Sequence, residues 1–145
     1  MKLIVPVLMA AAALYAADTK VKLEDLPSSV QIAVKEQTKA ATLAGLSKEV
    51  ENGKTMYEVE TKVDGRSRDL MLNEAGKVVS VEEEIDLDSI PAPAKAAIQK
   101  RAAGGTVEKV EKVTEGSKVS YEAALKSKRG KKSEAAVNAD GSTHK

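Results

Sequence analysis

Leu26-Pro27-Ser28-Ser29-Val30 returns as Ile90-Pro91-Ala92-Pro93-Ala94, and Met56-Tyr57-Glu58-Val59 returns as Ser120-Tyr121-Glu122-Ala123, both pairs 64 positions apart. Asn73-Glu74-Ala75-Gly76 answers Asn138-Ala139-Asp140-Gly141, and Asp64-Gly65 answers Arg129-Gly130, at an offset of 65. An offset that drifts by one residue over several motifs reads as tandem copying of one unit. The expected organisation is a first repeat over 26–85 and a second over 86–145, preceded by a loose polar lead-in at 17–25.

Each copy opens with a proline suited to the first turn of a helix, where its missing N–H costs nothing. Apolar residues then follow at helical spacing: Val30, Ala33 and Val34 in the first copy, Ala94, Ala97 and Ile98 in the second. Gly45 and Gly104-Gly105 punctuate the passage to extended chain. Alternation over Thr55, Tyr57, Val59, Thr61 and Val63, against Met56, Glu58, Glu60 and Lys62, predicts a strand with two distinct faces. In the second copy Val119, Tyr121, Ala123 and Leu125 alternate with Ser120, Glu122, Ala124 and Lys126. Asn52-Gly53, Asp64-Gly65, Glu115-Gly116 and Arg129-Gly130 suit tight hairpins. Further strands are expected over 68–72, 77–85 and 133–137. Val107 to Val113 fits neither period and is assigned to a strand by its place in the repeat. No second-copy strand answers Val78–Val81. The predicted fold class is α+β: two tandem repeats, each a helix packed on one face of an antiparallel sheet.

The N-terminus reads as a targeting segment. Met1-Lys2 is a short basic start, Leu3 to Leu14 is an apolar run too short to span a bilayer, and Leu14-Tyr15-Ala16 before Ala17 offers cleavage after Ala16. A signal peptide at 1–16 implies a periplasmic or secreted protein with no membrane span. Its removal takes Lys2 from the 23 basic residues and none of the 22 acidic ones, leaving a formal charge of zero. No global field draws the whole chain to nucleic acid or to an anionic membrane. With no cysteine there is no disulfide and no thiol chemistry. The mature chain has no Phe or Trp and is rich in alanine, so each half is lean. The halves are expected to share a continuous sheet or to pack together.

The order Leu-Pro, helix, Gly, strand, Asn-Gly-Lys, Tyr-Glu-Val-Glu, Asp-Gly, strand, Asn-x-x-Gly-Lys resembles the PepSY-like group of exported bacterial proteins. That group is related in fold to the secreted beta-lactamase inhibitory protein, also built of two tandem copies. Leu26-Pro27, Asn52-Gly53-Lys54, Tyr57-Glu58-Val59-Glu60, Asp64-Gly65 and Gly76-Lys77 carry the fuller match. Ile90-Pro91, Gly116, Tyr121-Glu122, Gly130-Lys131 and Asp140-Gly141 carry a thinner one. The resemblance implies a non-catalytic exported module, with relatives thought to restrain envelope proteases. It brings no catalytic or ligand residue with it.

Candidate sites are weighed from the residues themselves. Tyr57 and Tyr121 read as core residues under the helices, and alternatively as interface anchors. Glu58, Glu60 and Glu122 are expected on the open sheet face, as a partner-binding surface or as solvated charge balanced by lysines. Arg66 and Arg68 are placed with Lys126, Lys128, Arg129, Lys131 and Lys132 at the hairpin tips. That basic rim suits an anionic polymer or lipid surface, or solubility alone. Glu82-Glu83-Glu84, Asp86 and Asp88 form an acidic run between the copies, without the glycine and alternation of a calcium loop. His144 is the one histidine, in the tail, so neither zinc nor a serine nucleophile finds its partners. No enzyme activity, metal or cofactor is expected. The functional expectation is an exported binding module for an unknown envelope protein, such as a protease. The alternative is a periplasmic structural or weak ion- or small-ligand-binding protein.

Overall fold

The computed structural model describes residues 19–51 and 53–144. The apolar run at 1–16, with its expected cleavage point, and Asn52 lie outside the described residues. The elements are β1 (Thr19–Lys20), α1 (Ser28–Gln37), β2 (Thr42–Glu51), β3 (Lys54–Val63), β4 (Arg66–Asn73), β5 (Val78–Ile85), α2 (Ala92–Ala102), β6 (Thr106–Glu115), β7 (Lys118–Lys126) and β8 (Lys132–Asn138).

The sheet corrects the expected fold class. Eight strands form one sheet in chain order, β1 to β8, and the α-helices of the described residues are two, of ten and eleven residues. The protein is mainly β, not two tandem helix-on-sheet repeats. Repeated motifs specify local turns and helix starts. They do not specify that a strand layer should stop between copies, and a bare strand edge leaves a row of backbone N–H and C=O groups to be satisfied.

Contacts divide the described residues into two compact units, one of 19–83 with Thr114–Ser117, the other of Glu84–Val113 with the described residues from Lys118 onward. In the first, Pro27 caps α1 rather than entering its first turn. Val30 and Val34 are fully covered and meet Leu26, Tyr57, Val59, Leu70 and Leu72. The helix stops at Thr38, whose hydroxyl turns back to donate to the Val34 carbonyl at 2.9 Å. In the second unit, Pro91 caps α2 and Pro93 lies in its first turn. Ala94 and Ile98 are buried with Val110, Ala123, Leu125, Ala135 and Val137, and Tyr121 packs against them. The helix ends on Ala103 in the left-handed region at φ 48°.

Two local expectations change and a third holds. The lead-in is not loose: Thr19 and Lys20 pair with Lys48 and Ser47, a 3-10 turn covers Leu23–Asp25, and Val21 and Leu23 pack on the α1 core. Gly45 does not end a segment but lies inside β2, at a register shift between Leu43 and Gly45. The stretch after Asn138 forms only a bridge, Val137 to Thr143, flanked by Asn138 N–H to the Ser142 carbonyl at 2.9 Å and His144 N–H to the Ala136 carbonyl at 3.1 Å.

Two turns determine register near the site. Asp64 (φ 51°) and Gly65 (φ 81°) both take positive φ, the two-residue hairpin geometry that matches strand twist, so Val63 pairs with Arg66 and the β3–β4 ladder follows. The Asn73 carboxamide accepts from the Ala75 and Lys77 amides, both at 3.0 Å, and brings Gly76 against α1. A Cβ on Gly76 would collide with the Ser29 carbonyl, while the Ser29 hydroxyl donates to the Glu74 carbonyl at 2.8 Å.

Candidate functional site

α1 covers one face of β2–β5. The pairing registers place two cross-strand rows on the other face. One row runs Ser47, Glu58, Met71, Ser80; the next runs Gly45, Glu60, Asp69, Glu82. Directly opposed residues of antiparallel strands share a face, so these are side-by-side neighbours.

Glu58 is the unusual member. Period-two alternation put it on this face correctly in side, yet it is 4% exposed where an open, solvated position was expected. Alternation reports which way a side chain points and not what flanks it; Ser47, Met71 and Ser80 beside it are themselves buried. The Ser47 hydroxyl donates to Glu58 Oε2 at 3.0 Å. Burial pushes the Glu58 carboxyl up to about 7, with Glu60, Asp69 and Glu49 adding repulsion and the Ser47 hydrogen bond opposing the rise. Glu60 is exposed and lies across Gly45, where a Cβ would stand 3.0 Å from its carboxylate. Asp69 Oδ1 accepts from the Thr61 amide at 3.2 Å, which pins that carboxylate to the strand.

The structure brings Glu58 and Glu60 together and separates the arginines from them. Arg68 shares its face with Leu70 and Leu72. Its guanidinium donates to Gln37 Oε1 of α1 at 3.2 Å and stands 3.9 Å from Glu83. Arg66 has the same parity, at the exposed start of β4. Glu122 belongs to the other unit, where it pairs with Ala136 of β8 on the face away from α2 and is half-buried. On that face burial also raises the Glu134 carboxyl, assisted by Glu111. Tyr57 is buried under α1 and Tyr121 packs against the α2 core.

Sequence reading passed over Ser47 and Asp69. A usable signal existed for Asp69, because the Asp64-Gly65 turn fixes Val63 opposite Arg66 and therefore Glu60 opposite Asp69. The acidic run is dispersed rather than gathered. Glu82 is buried in the second row, Glu83 approaches Arg68, and Asp88 accepts from Lys95 at 2.7 Å, which lowers its pKa. Among the described residues no three Asp, Glu, His or Cys side chains group so as to hold a metal ion. No described helix is long and apolar enough to cross a membrane.

Chemically, the accessible part of these rows is the Glu60 carboxylate with half-buried Asp69, which complements cationic groups; Ser47, Ser80, Met71, Glu58 and Glu82 are buried, and the rows hold no aromatic anchor. No family profile matches the chain, and no curated protein does. Solved structures share its fold. A protein described as periplasmic from Bacteroides eggerthii has a TM-score of 0.66 at 19% identity, over 83% of this chain and 86% of its own. A DUF2874 family protein from Bacteroides ovatus has 0.62 at 18%, over 83% and 85%. A BLIP-like protein from Bacteroides fragilis has 0.58 at 16%, over 83% and 84%. At such identities the likeness is one of fold, and it includes a BLIP-like fold.

Proposed function

We propose that the chain is an exported, non-catalytic protein-binding module whose partner in the cell envelope meets the face of β2–β5 turned away from α1. The observation that carries this reading is exposed Glu60 beside half-buried Asp69, on a face that the helix does not cover, with Glu58 and Glu82 buried next to them. The apolar run at the N-terminus, the fold neighbour described as periplasmic and the BLIP-like neighbour support it. A partner presenting lysines or arginines fits the charge. With few aromatic anchors the interface is polar, of modest affinity and sensitive to salt. Restraint of an envelope protease is the finer form that the PepSY-like motifs add. Arg66 and Arg68 lie on the reverse side and are left out of this contact surface.

The test is site-specific photo-crosslinking of the mature protein in envelope extract. A photoreactive residue at position 60 should give a discrete adduct that weakens by about tenfold or more with Asp69→Lys, the scale of a buried charge reversal. A probe at Gln99, on the exposed side of α2, is the control. Equal labelling from both positions sinks the proposal.

A further inference from the structure

A second surface lies in the other unit. The β7–β8 hairpin tip, Lys126 to Lys132, holds five basic residues, two neutral ones and no acid, and every one of the seven is exposed. The tip is ordered. Ser127 N–H donates to the Lys131 carbonyl at 2.8 Å, Gly130 N–H to the Ser127 carbonyl at 2.9 Å, and Lys131 N–H to Ser127 Oγ at 3.0 Å. It rests on the glycine pair after α2. A Cβ on Gly105 would strike the Lys126 carbonyl, and one on Gly104 would stand 3.2 Å from Lys128 Cε. The last turn of α2 adds Lys100 and Arg101, the latter engaged with the Ala136 carbonyl and Thr143.

The charge here is held against internal repulsion. Lys126 and Lys132 are directly opposed cross-strand partners, an arrangement that destabilises a hairpin. Glu108 relieves it only loosely, 4.0 Å from Lys126. Among the described residues no carboxylate pairs with Lys128, Arg129, Lys131 or Lys132. Nothing apolar or aromatic stands between 126 and 132, so there is nothing to insert into a core or to stack on a base. Lys126 ends β7 and Lys132 begins β8, with the other three cations in the turn between them, so the charge is laid along the whole tip.

We infer that this tip docks the protein on an anionic lipid bilayer surface, through headgroup phosphates and without insertion. Clusters of this size attract anionic leaflets, with about fivefold in partition per basic residue. Attraction of that kind is lost as salt shortens the screening length. Anionic headgroups also relieve the Lys126–Lys132 repulsion, so the membrane stabilises the fold.

The experiment is co-sedimentation of the mature protein with phosphatidylglycerol-containing vesicles, against pure phosphatidylcholine, at low and high salt. Binding is expected to the anionic vesicles alone and to vanish at high salt, with a raised Tm when bound. The triple variant Lys128→Ala, Arg129→Ala, Lys131→Ala should weaken partition on the order of 100-fold. A triple of equal charge change elsewhere, Lys22→Ala, Lys35→Ala, Lys39→Ala, should change it by less than about threefold, because those cations lie outside the cluster. Equal sedimentation with both lipids, or equal loss in both triples, overturns the inference. So does a DNA duplex that binds as tightly as the vesicles at the same salt.

Discussion

Glu58 is where the face records pH. Its folded value of about 7 stands above the ordinary 4.5. Between those values the folded protein holds a proton that the unfolded chain has released. The contribution of Glu58 to stability is therefore fullest below about pH 4.5, falls as pH rises toward 7, and is level above. The groups that face it, Glu49 on β2, Glu60 on β3 and Asp69 on β4, are all acidic and reinforce that direction. Glu58→Gln keeps the Ser47 contact and removes the charge. It should match the parent near pH 4.5 and exceed it by on the order of 2–3 kcal/mol at pH 8. Urea melts at the two pH values check this, and an equal effect at both contradicts it. The side on which Glu58 stands was readable from alternation along β3. Its burial was not, because it depends on Ser47, Met71 and Ser80 arriving from strands distant in sequence.

At the scale of elements, the helices contribute through few residues. Ile98 is completely covered, so Ile98→Ala should cost about 2–5 kcal/mol through lost burial and the cavity left behind. Ile32 is 69% exposed on α1, and Ile32→Ala should move stability by less than about 0.5 kcal/mol. Thermal melts of the two separate a core helix position from a surface one of the same chemistry. Ala103 ends α2 at φ 48°, a conformation that glycine takes without strain. Ala103→Gly should stabilise by about 0.5–1 kcal/mol, and a lower Tm would refute that reading. Helix starts, buried helix stripes and the β3–β4 turn were all legible, since proline, 3.6-residue spacing and Asp-Gly act locally. Gly45 was misread because its role is set by Glu60 lying across it from the next strand. Arg68 was misread because a hairpin position says little about a reach to Gln37 on a helix.

For the whole molecule, the repeat offset led to an expected pair of helix-on-sheet repeats, and the single strand order β1 to β8, which makes the protein mainly β, replaces it. That order leaves β8 last, with residues 142–144 along the outer side of its last three positions through the Thr143 bridge and the Asn138–Ser142 and His144–Ala136 bonds. The chain carries a formal net charge of only +1, so copies do little to hold one another off at a distance. Protection against stacking must come from β8 itself, where Lys132 and Glu134 are exposed and Ala135 and Val137 are buried. Lys132→Val with Glu134→Val would leave a smooth apolar ribbon with a ready hydrogen-bonding margin. Concentrated samples of that variant should convert to thioflavin-positive fibrils while the parent stays clear. On this reading Lys132 and Glu134 guard the last margin of the sheet against polymerisation, and a double variant that stays clear removes that role.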